Sequence, residues 1–221
     1  MTPLIDATEM YLRTVWELEE EGITPIRARL VERLGLSAPA VSETVGRLEQ
    51  EGLLRVASNR TLQLTERGRA RATSVMRKHR LAERLLIDVI GLEWGEVHNE
   101  ACRWEHVISD AVERRLVALL GSPATCPHGN PIPGLAGDDE ASLRLVTMAE
   151  AAQLGCRATV RRISERLQVD VKAMRSLREH GLRPGRATDL SVTGGRIIAD
   201  VDGEKVEIDK STAQQVYVLP A

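Results

Sequence analysis

Residues 24–65 read TPIRARLVERLGLSAPAVSETVGRLEQEGLLRVASNRTLQLT. Thr24-Pro25 reads as a cap with proline at the first helical position, opening a short helix that runs to Leu34. Gly35-Leu36 makes a tight turn. Ser37 then caps a second helix with Pro39 in its first turn, which continues to about Glu51 and stops at Gly52. LLRVAS and TLQLT alternate apolar and polar residues around Asn59-Arg60, the pattern of a two-stranded wing. Two short helices joined by a turn and followed by such a wing make a winged helix-turn-helix. A small helical domain that binds no DNA is the rival reading. From Thr24 to Thr73 there are nine Arg, no Lys and five Glu, a surplus of four positive charges, although the whole chain carries −2. Glu17, Glu19, Glu20 and Glu21 form an acidic cluster just upstream. A positive stripe on an otherwise acidic protein suits a nucleic-acid face.

Upstream, Thr2 to Glu21 reads as a helix with an apolar stripe of Leu4, Tyr11, Leu12, Val15, Trp16 and Leu18. Met10 sits beside that stripe, where methionine is ordinarily packing filler. Downstream, Thr65 caps a long helix expected to reach Ile90, Glu96 to about Val107 forms another, and Ser109-Asp110 caps one through Leu120. Leu81, Leu85, Leu86 and Val89, with Val112, Leu116, Leu119 and Leu120, form stripes broader than one helical layer buries, which points to a homodimer.

These helices carry HRLAERLLIDVIGLEWGEVHNEACRWEH, residues 79–106, with three of the chain's five histidines. His79 and Glu83 are four apart; Cys102, Glu105 and His106 fall at i, i+3 and i+4, with His98 one turn back. Imidazole, thiolate and carboxylate together suit a borderline late divalent metal better than Mg or Ca. Any one of them alone is most simply a solvated or core residue; repeated helical registration argues for a site.

Residues 121–137 are rich in proline and glycine, which excludes regular structure; Cys126 and His128 stand there in C-x-H spacing with no assigned role. Asp138 to Glu140 read as a linker. From about Ser142, LRLVTM, CRATVRRIS, ATDLSV, RIIADV, KVEID and VYVL read as strands and VKAMRSLREHG as a short helix. Gly194-Gly195 and Asp202-Gly203 are hairpin turns, so a small SH3-like barrel is expected. The fold class is mainly α with a small β domain. It comprises a winged helix-turn-helix DNA-binding domain (1–73), a helical dimerisation and metal-binding domain (74–140), and a linker with an SH3-like domain (141–221).

A 43% hydrophobic composition supports a real core, aliphatic because Phe is absent. No apolar run reaches the ~18 residues of a membrane helix, and no charged-then-apolar leader opens the chain. Three irregularly spaced cysteines argue against a disulfide framework, and the cytoplasm is the expected compartment.

TEMYLRTVWELEEEG (8–22), MRKHRLAERLL (76–86), VHNEACRWEHV (97–107) and GNPIPGL (129–135) resemble the diphtheria toxin repressor family of actinobacterial iron-dependent regulators. The resemblance is close over residues 1–140 and looser over the barrel. It implies a non-enzymatic, Fe(II)-activated transcriptional repressor that binds palindromic operators of iron-acquisition genes as a homodimer. Co, Ni, Mn or Zn would substitute in vitro. By the same resemblance Met10, Cys102, Glu105 and His106 would form a regulatory metal site. An ancillary site would use His79, Glu83 and His98, with Glu165 and Gln168 from ISERLQ, and Arg80 and Asn130 would hold an anion beside it. The Met10–Cys102 pair resembles the iron branch rather than a carboxylate-rich manganese branch.

Ser37, Pro39, Ser42 and Glu43 are expected to face bases and Arg27, Arg47 and Arg60 to meet phosphates. Several residues depart from the family pattern. Glu43 stands for a glutamine, Ala40 for a threonine, Gln50 for an arginine, Cys126 for a serine of the anion site and His128 for an aromatic. The first three bear on operator preference, the last two on the anion site. A manganese-responsive repressor of the same fold is the alternative. A helical metalloenzyme would want H-E-x-x-H or paired Glu-x-x-His patterns, which this chain lacks. A Cys102 redox switch is a third reading.

Overall fold

The computed structural model describes residues 6–135 and 143–221. The linker expected at Asp138 to Glu140, and Leu4 of the first stripe, lie outside them. The chain forms two compact units, residues 1–79 with 102–109, and residues 80–101 with 110–221.

The first unit is built on α1 (Ala7–Glu20). Its cap is Asp6, whose carboxylate accepts from the Thr8 and Glu9 backbone N–H groups at 2.8 and 3.4 Å. Tyr11, Leu12, Val15 and Leu18 bury one face of α1 against Leu30, Val41, Val45, Leu48, Leu54 and Leu62. Helix α2 (Arg27–Leu34) starts later than Thr24-Pro25 implies, with Ile26 at its cap position and no side-chain cap. The reason is non-local. The Pro25 carbonyl accepts from Leu62 N–H at 2.8 Å, which holds Pro25 in the wing pairing instead of the helix. Helix α3 (Ala38–Gln50) begins as read, with Ser37 at the cap and proline in the first turn. Strands β1 (Leu54–Val56) and β2 (Leu62–Leu64) pair antiparallel, with Arg60 at φ 67° in the turn between them.

Helix α4 (Glu66–Leu85) follows, and a π-helical turn over Leu86–Ile90 replaces its expected last α turn. Its Gly68 is obligatory: a Cβ there would lie 1.8 Å from the Leu53 carbonyl oxygen. Helix α5 (Val97–Trp104) is shorter than expected and leaves Glu105 and His106 in the turn beyond it. Helix α6 spans Asp110–Leu119.

The second unit holds an antiparallel six-stranded sheet, β3 (Val146–Thr147), β4 (Arg157–Ile163), β5 (Ala187–Thr193), β6 (Arg196–Val201), β7 (Glu204–Ile208) and β8 (Val216–Pro220). Its order is β3-β8-β4-β5-β6-β7. Val160, Ile163, Leu190, Ala199, Val216 and Val218 line its core. The LRLVTM strand is contradicted beyond Thr147: Met148–Leu154 is helix α7, opened by a reciprocal Thr147–Glu150 capping box and closed by Gly155 at φ 62°. Short helices α8 (Glu165–Gln168), α9 (Val171–Glu179) and α10 (Lys210–Ala213) complete the domain, of which only α9 was legible. Among the described residues no helix is long and apolar enough to cross a membrane.

Candidate metal centres and nucleic-acid face

In the first unit Glu105 is the hub. Arg13 Nη1 lies 2.7 Å from both of its carboxylate oxygens and 3.4 Å from Cys102 Sγ, while Arg13 Nε bonds Glu17 at 2.6 Å. His79 Nδ1 is 2.6 Å from Glu105 Oε2, and His106 Nε2 is 3.2 Å from Oε1. Burial raises the Glu105 pKa, but the Arg13 guanidinium and the His79 imidazole outweigh it and bring the value down to about 2. Burial lowers the His106 pKa, yet its 2.7 Å bond to Glu9 and the Glu105 charge leave it raised overall.

Beyond the end of α5 at Trp104 a turn closed by Ile108 N–H on the Trp104 carbonyl at 3.1 Å carries Glu105 and His106, and one Arg13 nitrogen meets both Cys102 and Glu105. Cys102, Glu105 and His106 are drawn to α1 through Arg13 and Glu9. Met10 lies three residues before Arg13, partly buried against the winged-helix core. The donor chemistry fits a borderline divalent ion: a thiol, a carboxylate held anionic and an imidazole surround a cationic guanidinium. Arg13 escaped the sequence reading because an arginine on a charged helix carries no special signal.

The second unit gathers Glu83, His98, Glu165 and Gln168. His98 Nδ1 is 3.3 Å from Glu83 Oε1 and 3.2 Å from Glu165 Oε2. Fully buried Arg80 donates to Glu165 Oε1 at 3.1 and 3.0 Å and to the Pro131 carbonyl at 2.5 Å. Asn130 and Gln168 both donate to the Ile163 carbonyl at 2.8 Å. Gln168 is left with a buried Oε1 that accepts no hydrogen bond, an orphaned acceptor of the kind a cation would satisfy. Here Arg80 and Asn130, expected to hold an anion, donate to protein acceptors.

Residues 125–131 fold back on themselves beside this set. Thr125 bridges Pro131, Cys126 N–H bonds the Asn130 carbonyl at 2.8 Å, and Ile163 N–H on β4 bonds the His128 carbonyl at 3.0 Å. Gly129, at φ 85°, approaches the Arg161 carbonyl so closely that a Cβ would lie 1.8 Å from that oxygen. Arg161 is the extra residue where the β4–β8 register shifts. The loop therefore presents Cys126 and His128 to Glu83, and one donor atom from each of the three lies within 4.8 Å of the others. Burial, followed by the Glu83 and Glu165 carboxylates, pushes the Cys126 thiol well above its ordinary pKa. The C-x-H spacing was the available signal; its partner lies far away in sequence.

Three family descriptions cover nearly the whole chain. Residues 3–62 match the iron dependent repressor N-terminal DNA binding domain, residues 65–134 its metal binding and dimerisation domain, and residues 140–218 the diphtheria toxin repressor SH3 domain. The chain belongs to the iron-dependent repressor family. It is 51% identical to the iron-dependent repressor IdeR of Mycobacterium tuberculosis over 99% of both chains. It is 47% identical to the diphtheria toxin repressor of Corynebacterium diphtheriae over 99% of both. Among solved structures, a manganese-dependent transcriptional repressor in complex with manganese matches with TM-score 0.82 at 31% identity, over 97% of this chain and 100% of that one. The T. acidophilum IdeR matches with TM-score 0.77 at 26% identity, over 98% and 99%.

In this iron-dependent repressor helix α3 of the DNA-binding domain leaves Ser37, Pro39, Ser42 and Glu43 exposed. Arg47 pairs with Glu51 at 2.9 Å, not with Glu43. Arg29 and Arg33 also pair with glutamates, whereas among the described residues Arg27 and Arg60 form no ion pair. The positive surplus is therefore partly neutralised within the protein, and Arg27 and Arg60 retain the charge a phosphate would meet.

Proposed function

We propose that this member is an Fe(II)-activated repressor acting as a homodimer on palindromic operators of iron-acquisition genes in the cytoplasm, without enzymatic activity. The observation that supports this reading is the seating of Cys102, Glu105 and His106 against α1, in the same compact unit as the winged helix. Met10, Cys102, Glu105 and His106 would hold the regulatory ion; His79, Glu83, His98, Glu165 and Gln168 would hold the ancillary one. When bound, the ion supplies a divalent charge that a neutral thiol and a protonated imidazole cannot share. Arg13 would then have to release Cys102 and Glu105 and His106 to give up its proton, and the ion would tie these donors to α1, which packs beside α2 and the wing strand β2.

Each recognition helix would enter a major groove with Ser37, Pro39, Ser42 and Glu43 leading, two such grooves lying about 34–36 Å apart. Val89, Val112 and Leu119 are 59%, 49% and 64% exposed in the second unit, an apolar surface suited to a dimer contact. The thiol and thioether favour Fe(II) over Mn(II), against the manganese-responsive alternative. Metal and DNA are then linked: whatever factor the ion adds to DNA affinity, DNA adds to ion affinity. An anaerobic DNA-binding titration with Fe(II), Mn(II), Co(II), Zn(II) and chelator tests the proposal. Affinity should rise with Fe(II) by the factor of a ~1–3 kcal/mol coupling or more, and equal binding with and without a strong chelator would refute it.

A further inference from the structure

Glu83, Cys126 and His128 make a closed donor cluster of which only Glu83 was read as a ligand from the sequence. All three are buried, at 0%, 2% and 0% exposure. His128 Nε2 lies 3.1 Å from the Trp94 carbonyl oxygen, and a carbonyl only accepts, so that nitrogen is the donor. The other ring nitrogen, Nδ1, faces inward. It is buried, makes no hydrogen bond, and sits 3.4 Å from Glu83 Oε2. A buried ring nitrogen and a buried carboxylate oxygen that face each other without a hydrogen bond are a pair that a cation between them would satisfy.

The other Glu83 oxygen, Oε1, faces His98 Nδ1 at 3.3 Å, so one carboxylate stands between two imidazoles. We propose that Glu83, Cys126 and His128 form an additional site for a late divalent transition metal such as Zn(II) or Co(II), with the Glu83 carboxylate shared between this ion and the His98–Glu165 set. One sulfur, one nitrogen and one oxygen donor select a borderline ion, and three protein donors leave a fourth position to water. The Trp94 carbonyl orients the imidazole as outer partners of metal-bound histidines do. The Cys126 sulfur binds as thiolate, its proton passing to solvent. The loop backbone, fixed through Ile163 and Gly129, holds both side chains in place before any ion arrives. The site is independent of the regulatory role given to Cys102.

Anaerobic Co(II) titration of the full-length protein tests it, read by near-ultraviolet thiolate-to-cobalt absorption and by ions bound per chain in equilibrium dialysis. C102S should retain a sulfur band that the double variant C102S/C126S loses. C126S and H128F should each bind one Co(II) fewer per chain than wild type. A band that survives in C102S supports the site even where Cys102 itself gives none, so failure of the regulatory reading is separately visible. No sulfur band in C102S, a band persisting in the double variant through Cys156, or identical stoichiometry in wild type and a folded C126S would overturn it.

Discussion

Arg13 and Glu105 form a bidentate contact from a single nitrogen, 2.7 Å from each carboxylate oxygen, at the place where the regulatory donors converge. A guanidinium there competes with any metal ion. Arg13→Ala should raise metal affinity at this site by roughly tenfold, about 1.4 kcal/mol. It should also destabilise the metal-free protein by about 3 kcal/mol, because Glu105 loses a buried partner. Chelator-competition titrations and thermal unfolding with and without metal measure both. Unchanged metal affinity in the variant would show that Arg13 and the ion do not share a place.

Glu105 titrates well below an ordinary carboxylate, about 2 against 4.5. A depressed folded pKa contributes stability above the unfolded value that disappears as pH falls through the folded one. In metal-free protein the wild type should therefore exceed Glu105→Gln by about 3 kcal/mol above pH 4.5, with the advantage fading between 4.5 and 2. Urea unfolding of both proteins across that range is the measurement. A difference that stays constant with pH would rule out the carboxylate charge as its source.

The Glu9–His106 contact acts in the opposite sense. A raised imidazole pKa contributes stability below the unfolded value of 6.5 that is lost as pH climbs through the folded value. The same proton opposes metal binding, so regulatory-site affinity should increase with pH over the window above 6.5. Glu9→Gln removes the 2.7 Å charged partner and should move that window downward. Ring-proton NMR of His106 beside metal titrations at several pH values would show it. An unmoved imidazole titration in Glu9→Gln would exclude Glu9 as the cause.

Glu43 is exposed on α3 and has no ion-pair partner among the described residues, since Arg47 is engaged by Glu51. Among the described residues Glu43 and Arg47, four apart on α3, form no ion pair. A carboxylate in the groove can accept from cytosine N4, whereas glutamine pairs with adenine. Glu43→Gln should shift preference at one symmetric pair of operator positions from C toward A, by about 1–3 kcal/mol. Binding measured across operator variants decides: a uniform gain without altered preference would mean that Glu43 only repels the duplex.

Legibility in the sequence followed locality. Ser37 with Pro39, the hairpin glycines and the alternation of β4 to β8 act within a few residues, and each is where the sequence places it. Thr24-Pro25 misled because Leu62, distant in sequence, captures the Pro25 carbonyl. The apolar LRLVTM hid a helix start whose signal, Thr147 with Glu150, was present but outweighed by alternation. Glu165 and Gln168 could be named only from the resemblance, since no spacing relates α8 to α4. Arg13 was invisible altogether, because its importance lies in which acids surround it.

The loop at 125–131 is secured by backbone hydrogen bonds and by the missing Cβ of Gly129, and those contacts use neither the Cys126 thiol nor the His128 ring. Framework and chemistry are thereby decoupled. Substitutions at 126 and 128 change the donors that face Glu83 while leaving those backbone bonds in place. Evolution can thus vary the chemistry offered at this corner of the molecule separately from the backbone that carries it.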